Sequence, residues 1–163
     1  MMFKSSGKLI YDPYARIKQA PYWLILKTDE ELIRYYKSML MQKYDLNFEK
    51  TVWGSHISVI RGSVPKHPNQ WKKHQNEVID FEYTNRIYRV HSFFCIDAYS
   101  KRLEEIRQEL GLPPTPKAGF HITVGRINLQ YFKTKQDKLE NFSKKLNLPG
   151  LTTQTNLYPL FHA

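Results

Sequence analysis

The stretches "GSHISVIR" (residues 54–61) and "GFHITVGR" (residues 119–126) are near copies, each reading Gly-x-His-Ile-[Ser/Thr]-Val-x-Arg. In a β-strand successive side chains point to opposite faces, so residues two apart share a face. Ile57 and Val59 are therefore expected in a core, with His56 and Ser58 on the other face. Ile122 and Val124 repeat the buried pair, and His121 and Thr123 the polar one. Arg61 and Arg126 stand an odd step from their histidines, which on a regular strand turns them away. They reach the histidine face only through a bulge or a strand end. Gly54 and Gly119 would allow close approach of the backbone. This composition yields roughly 0.03 copies of His-aliphatic-[Ser/Thr]-aliphatic by chance, so one match carries little weight and two carry much.

Outward from the motifs, "PYWLILKT" (21–28) is an apolar run of strand-forming residues. It ends in Thr28-Asp-Glu-Glu31, a capping box with Thr28 as cap and Glu31 reaching back. Leu32, Ile33, Tyr36, Met39 and Leu40 recur at helical spacing and predict an amphipathic helix over 29–42. "SVPKHPNQWKKHQN" (63–76) reads as a loop with a short helix at its end, and residues 77–98 alternate on both sides of Thr84-Asn85, which predicts a hairpin there. Asp97 is expected to cap a second helix, with Tyr99, Leu103, Ile106 and Leu110 on one side and Gly111 as its stop. "LPPTPKA" (112–118) is a stiff linker into the His121 strand. A last helix carrying Leu139, Phe142 and Leu146 follows Thr134, and the tail 151–163 reads as a lid, an edge strand or a loose end. Twice, then, the chain runs strand, helix, connection, motif strand. The expectation is one α+β domain over 1–163, with one lobe at about 20–62, a second at about 77–128, and a C-terminal helix and tail at 131–163.

At 163 residues such a domain buries roughly 70% of the surface its unfolded chain exposes, enough for a core without staples. The lone Cys95, inside "FFCID", is expected as a small buried hydrophobe. The opening residues contain no apolar stretch of signal-peptide type, and no segment nears the ~20 apolar residues of a membrane span. A soluble, cytoplasmic protein with no membrane partner is expected. Twenty-five Lys and Arg against fifteen Asp and Glu leave a net charge of +10, which favours an anionic partner such as a nucleotide, RNA or a phosphate ester.

The residue types suit phosphodiester chemistry. Imidazole titrates near neutrality, so two on either side of a phosphate can take a proton from the nucleophile and give one to the leaving oxygen. The hydroxyls of Ser58 and Thr123 can donate to the non-bridging oxygens, which gain charge in the transition state. A zinc site wants three or four ligands, and the motifs supply two imidazoles with no acid beside them, so neither metal nor cofactor is expected. No Walker-type glycine loop and no nucleophile elbow are present, and His67, His74, His91 and His162 suit surface or structural roles.

The paired "HISV" and "HITV" resemble the two motifs of the two-histidine (2H) phosphoesterase superfamily, and the likeness covers most of residues 20 to 128. It implies a bilobal α+β fold with two antiparallel sheets, flanking helices and a central cleft. It also implies metal-independent cleavage of phosphodiesters involving a 2′-hydroxyl, with His56, Ser58, His121 and Thr123 as the active tetrad. The short chain, "YDPYARIKQAPYW" (11–23) and "HISVIRG" (56–62) are similar to phage anti-CBASS nucleases, which degrade cyclic di- and trinucleotide messengers of bacterial immunity. For a phage protein, the site of action would be the host cell cytoplasm.

Such a ligand must be gripped by its bases too, and stacking contributes about 1–3 kcal/mol per base. Tyr11, Tyr14 and Trp71 lie in polar or loop contexts and are the stacking candidates, with Arg61 and Arg126 completing the binding set. Trp23 and Trp53 are expected in the core. An RNA-processing cyclic phosphodiesterase or RNA end-repair enzyme of the same superfamily stays open, as does a basic RNA- or nucleotide-binding module without turnover. Which histidine is the base is not legible, because the two motifs are nearly the same.

Overall fold

The structure is a computed structural model that describes residues 1–13, 21–49, 53–130 and 133–134. Its first strand, β1 (Met2–Tyr11), exposes Met2, Lys4, Ser6 and Lys8 and buries Leu9 and Tyr11. There follow β2 (Trp23–Thr28), helix α1 (Glu30–Tyr44), the short β3 (Phe48–Glu49) and β4 (His56–Arg61). Next come β5 (Val78–Val90), β6 (Phe93–Tyr99), helix α2 (Lys101–Glu109) and β7 (Phe120–Ile127).

The strands are hydrogen-bonded in the order β7-β4-β2-β1-β5-β6, and β6 pairs back onto β7. Every pairing is antiparallel, and β3 adds a further short pairing to β7. This corrects the expected bilobal α+β arrangement of two sheets. The molecule is a closed six-stranded antiparallel β-barrel, mostly sheet, with two helices among the described residues. The missing piece is β1. It pairs with β2 over Gly7–Tyr11 and with β5 over Met2–Lys8, so it joins the two halves that the sequence suggested would stand apart. Closure on β6–β7 then leaves no open edge in the ring, which removes a template for edge-to-edge association.

One face of the sheet carries the core. Leu9, Leu24, Leu26, Ile57 and Ile122 pack with Ile33 of α1 and with Leu103, Ile106 and Leu110 of α2. A second cluster joins Tyr36 and Leu40 of α1 to Phe94, Ile96, Val124 and Ile127. The apolar residues of both motifs lie in these clusters, and each fully buried Ile or Leu stabilises the fold by roughly 1.5–3 kcal/mol.

Local expectations fare unevenly. Residue Asp29, not Thr28, caps α1, accepting from the Glu31 N–H at 2.9 Å. The Thr28 hydroxyl instead meets the Ser55 hydroxyl at 2.6 Å, tying the end of β2 to the start of β4. The chain runs straight through Thr84-Asn85 within β5, and the hairpin turns at His91-Ser92, with His91 at φ 52°. Asp97 lies within β6, and Ser100 precedes α2, its hydroxyl donating to the Asp80 carbonyl at 2.8 Å. Gly111 ends α2 as read, at φ 72°. The 63–76 loop carries a 3₁₀ turn at Pro68–Gln70, in its middle and not at its end. The expected C-terminal helix with Leu139, Phe142 and Leu146, and the tail, lie outside the described residues. Among the described residues no helix is long and apolar enough to cross a membrane.

Candidate active site

The two motif strands are neighbours, paired through Ile57 and Ile122, both fully buried. One step either way in an antiparallel ladder sets His56 across from Thr123 and Ser58 across from His121, so all four side chains share the face opposite the core. All four are half-buried, while the Ile and Val between them are buried. The tetrad read in the sequence is thus brought together in one place.

Each imidazole is held by its own motif. His56 Nδ1 lies 3.1 Å from the Gly54 carbonyl, and His121 Nδ1 lies 3.3 Å from the Gly119 carbonyl. A carbonyl can only accept, so in each case Nδ1–H donates and Nε2 is left for chemistry. The glycines make this possible through left-handed backbone, φ 62° at Gly54 and 70° at Gly119, where L side chains are strained.

The arginines reach the site through bulges. In the β2–β4 pairing Trp23 faces Arg61 and Leu24 faces Ile60, but Ile25 faces Ser58, leaving Val59 as the extra residue. In the β6–β7 pairing Phe93 faces Arg126 and Phe94 faces Gly125, but Cys95 faces Thr123, leaving Val124 as the extra residue. The two registers match throughout. Trp23 to Phe93 is a step of 70, His56 to His121 a step of 65, and the same two steps carry every partner of the first pairing onto the second. An extra residue reverses the facing of everything beyond it, so Arg61 and Arg126 return to the histidine face. Arg61 lies 5.6 Å above the Trp23 ring and Arg126 5.7 Å above the Phe93 ring, each a cation over an aromatic face. Arg126 also pairs with Glu49 of β3 at 3.3 Å.

Around His56, Lys27 faces it from β2, and the Trp23 ring stands edge-on at 6.5 Å and meets Trp53 at 5.1 Å. Burial lowers the His56 pKa, and the charges of Lys27, Arg61 and His121 add to this against the Gly54 hydrogen bond. Glu30 of α1 accepts from the Ser55 N–H at 3.0 and 3.1 Å and pairs with Lys27. Burial works to raise its pKa, but Lys27 and the Ser55 N–H outweigh that and hold it low. Around His121, β6 supplies Asp97 directly across and Cys95 across from Thr123, and Tyr88 of β5 stands across from Cys95. Burial pushes the Cys95 thiol up to about 11; a hydrogen bond with Thr123 opposes this and the Asp97 charge adds to it, so the thiol stays protonated, as expected of a buried hydrophobe.

The aromatic expectations are redistributed. Tyr11 is buried in the core, its ring edge-on to Trp71 at 4.8 Å, and burial first of all pushes its hydroxyl up to about 12. Trp71 is half-buried against Tyr11 and Tyr22 and donates to Asp12 at 3.2 Å. Neither is placed with the tetrad, and Tyr14 lies outside the described residues. Trp23, read as core, is buried, but on the histidine face. The sequence reading also missed Lys27 and Asp97. The signal was a charge ending an otherwise apolar strand, in "WLILK" and "FFCID", which means little until the register places each across from a histidine. Of the other histidines, His74 is held between Glu77 and Glu109 at 2.7 and 2.8 Å, and His162 lies outside the described residues. Among the described residues no group of three or more His, Cys, Asp or Glu is placed to hold a metal. Comparison with family models, with curated proteins and with solved structures finds no match to this chain.

Proposed function

We propose that the protein is a metal-independent phosphodiesterase of the 2H type that cleaves 3′–5′ bonds of cyclic di- and trinucleotides and so counters CBASS immunity. The observation that carries this reading is the pairing of the two motifs. Two imidazoles, each with Nδ1 on its own glycine carbonyl and Nε2 left for proton transfer, share one face with two hydroxyl donors. The strands are antiparallel, so Arg61 and Arg126 lie beyond opposite ends of the tetrad, each backed by an aromatic ring. That layout suits a phosphate at the centre with a nucleotide to either side.

In the reaction one histidine takes the proton of a ribose 2′-hydroxyl, which is already tethered to its phosphate, and tethering supplies much of the entropy of approach. The other protonates the departing 5′-oxygen. The first product is a linear oligonucleotide ending in a 2′,3′-cyclic phosphate, which water then opens with the histidines in exchanged roles.

Incubation with a panel of cyclic and linear oligonucleotides in the presence of EDTA, read by mass spectrometry, tests this. Cyclic ribodinucleotides are expected to be cut and all-deoxy analogues to resist. His56→Ala and His121→Ala should lower the rate by about 10²–10⁴-fold. Ser58→Ala and Thr123→Ala should cost about 10–10³-fold. Full activity in a folded double-histidine variant, or its loss on chelation, overturns the reading.

A further inference from the structure

Among the positions that the internal repeat matches in the two strand pairings, the charge reverses at one pair. Lys27 of β2 stands across from His56, and Asp97 of β6, at the matching place in the repeat, stands across from His121. One imidazole has a cation beside it and the other a carboxylate. The remaining charged and titratable neighbours keep the asymmetry. The charges of Arg61 and His121 also act on His56, and the nearby carboxylate, Glu30 of α1, is engaged by Lys27 and the Ser55 N–H. On the His121 side stand Cys95, whose thiol stays protonated, and Tyr88, whose hydroxyl bonds Asp97 and is held in its neutral form by burial first and then by the Asp97 charge.

We propose that Lys27 and Asp97, acting through the histidines, fix their roles: in the phosphodiesterase reading on which this rests, His56 is the base of the first step and His121 the acid. A cation beside His56 disfavours a second proton there, so Nε2 presents its lone pair. Across from His121 the register sets a carboxylate in place of that cation, which leaves His121 Nε2 as the group that gives the proton to the leaving oxygen. The 2′-O–H proton passes to His56 Nε2 as the 2′-O–P bond forms. The P–O5′ bond breaks, and O5′ takes the proton from His121 Nε2. His56 ends protonated and His121 neutral, with one proton gained and one lost. That is the state needed for water to open the cyclic phosphate, with His121 now the base.

The deciding experiment compares a cyclic ribodinucleotide with its analogue carrying sulfur at the 5′-bridging position, whose thiolate leaves without an acid. His121→Ala should lose about 10²–10⁴-fold on the oxygen ester and regain near wild-type rates on the sulfur one, whereas His56→Ala should lose about equally on both. Asp97→Asn should follow His121→Ala in milder form. Lys27→Met should move the acid limb of the wild-type pH profile upward. The sign follows because removing a cation raises the pKa of a base that must be deprotonated to act. Rescue of His56→Ala, or of both variants alike, overturns the assignment and leaves the phosphodiesterase reading standing. If the wild-type protein cleaves neither substrate, both are overturned together.

Discussion

A methyl group added at Gly54 would sit 2.1 Å from Glu30 Oε1 and 2.6 Å from Lys27 Nζ, whereas one added at Gly119 meets nothing within 4 Å. Both residues are left-handed and both carbonyls hold a histidine, so the two copies of one motif glycine share a job and differ in surroundings. Gly119→Ala should therefore cost only the backbone strain, about 1–2 kcal/mol. For a chain of this size that is a fall of roughly 2–8 °C in melting temperature. Gly54→Ala carries the same strain and must also displace the ion pair beside His56, so its fall should be at least about twice as large. Paired thermal melts read this directly, and equal losses would show that the Glu30–Lys27 pair yields without cost. The motif glycines were legible in the sequence as a repeat. Their task was not, because a φ angle and the direction of a carbonyl are set by the turn that enters each strand.

The bulges are the elements on which the site depends, and one of them is braced from behind. Arg107 of α2 is buried and donates from Nη1 to the carbonyl of Val59, the bulged residue, at 2.6 Å. It also donates to the carbonyls of Pro113 at 2.8 Å and Thr115 at 3.4 Å, in the linker that leads into β7. One side chain thus fastens the bulge that carries Arg61 to the approach of the second motif. Burial lowers its pKa, and the three carbonyls solvate its charge. Arg107→Met keeps the length and removes every donor, leaving the buried Val59 carbonyl unpaired. The expected loss is about 3 kcal/mol, or roughly 6–12 °C in melting temperature. A loss below about 1 kcal/mol in chemical denaturation would mean that water replaces the guanidinium and the brace is not needed. Alternation made the strands readable, and helical spacing made α1 and α2 readable. A bulge leaves no such trace, since an inserted residue looks like any other until its partner strand is known.

Across the whole molecule a net charge of +10 favours anions, and the number of phosphates contacted sets how binding should answer to salt. A cyclic dinucleotide carries two phosphates, so the logarithm of its affinity should fall with the logarithm of salt at a slope of only about −1.4, on the scale of single strands. A slope near −4 or steeper would report many phosphate contacts and point to a linear RNA. Titration calorimetry on the His56→Ala variant, with ligand left intact, distinguishes the two. The barrel itself depends on pairings far apart in sequence, β1 with β5 and β4 and β6 with β7. Such non-local topologies fold slowly, because loop closure is paid before the contacts return it.

The two His–hydroxyl pairs were determined by the sequence alone, because strand periodicity is a local property: His56 and Ser58 must share a face, as must His121 and Thr123, wherever their strands lie. The apolar faces of α1 and α2 and the buried Cys95 follow from equally local patterns. Closure into one barrel was decided only in three dimensions. Strand β1 is apolar only at its two ends, and Lys4 to Lys8 interrupt its pattern, so its place between β2 and β5 comes from hydrogen-bond register and not from composition. Register also chose which residues meet the histidines. Lys27 and Asp97 are 70 residues apart and have no relation along the chain, yet two matching strand pairings set a cation beside one imidazole and a carboxylate beside the other.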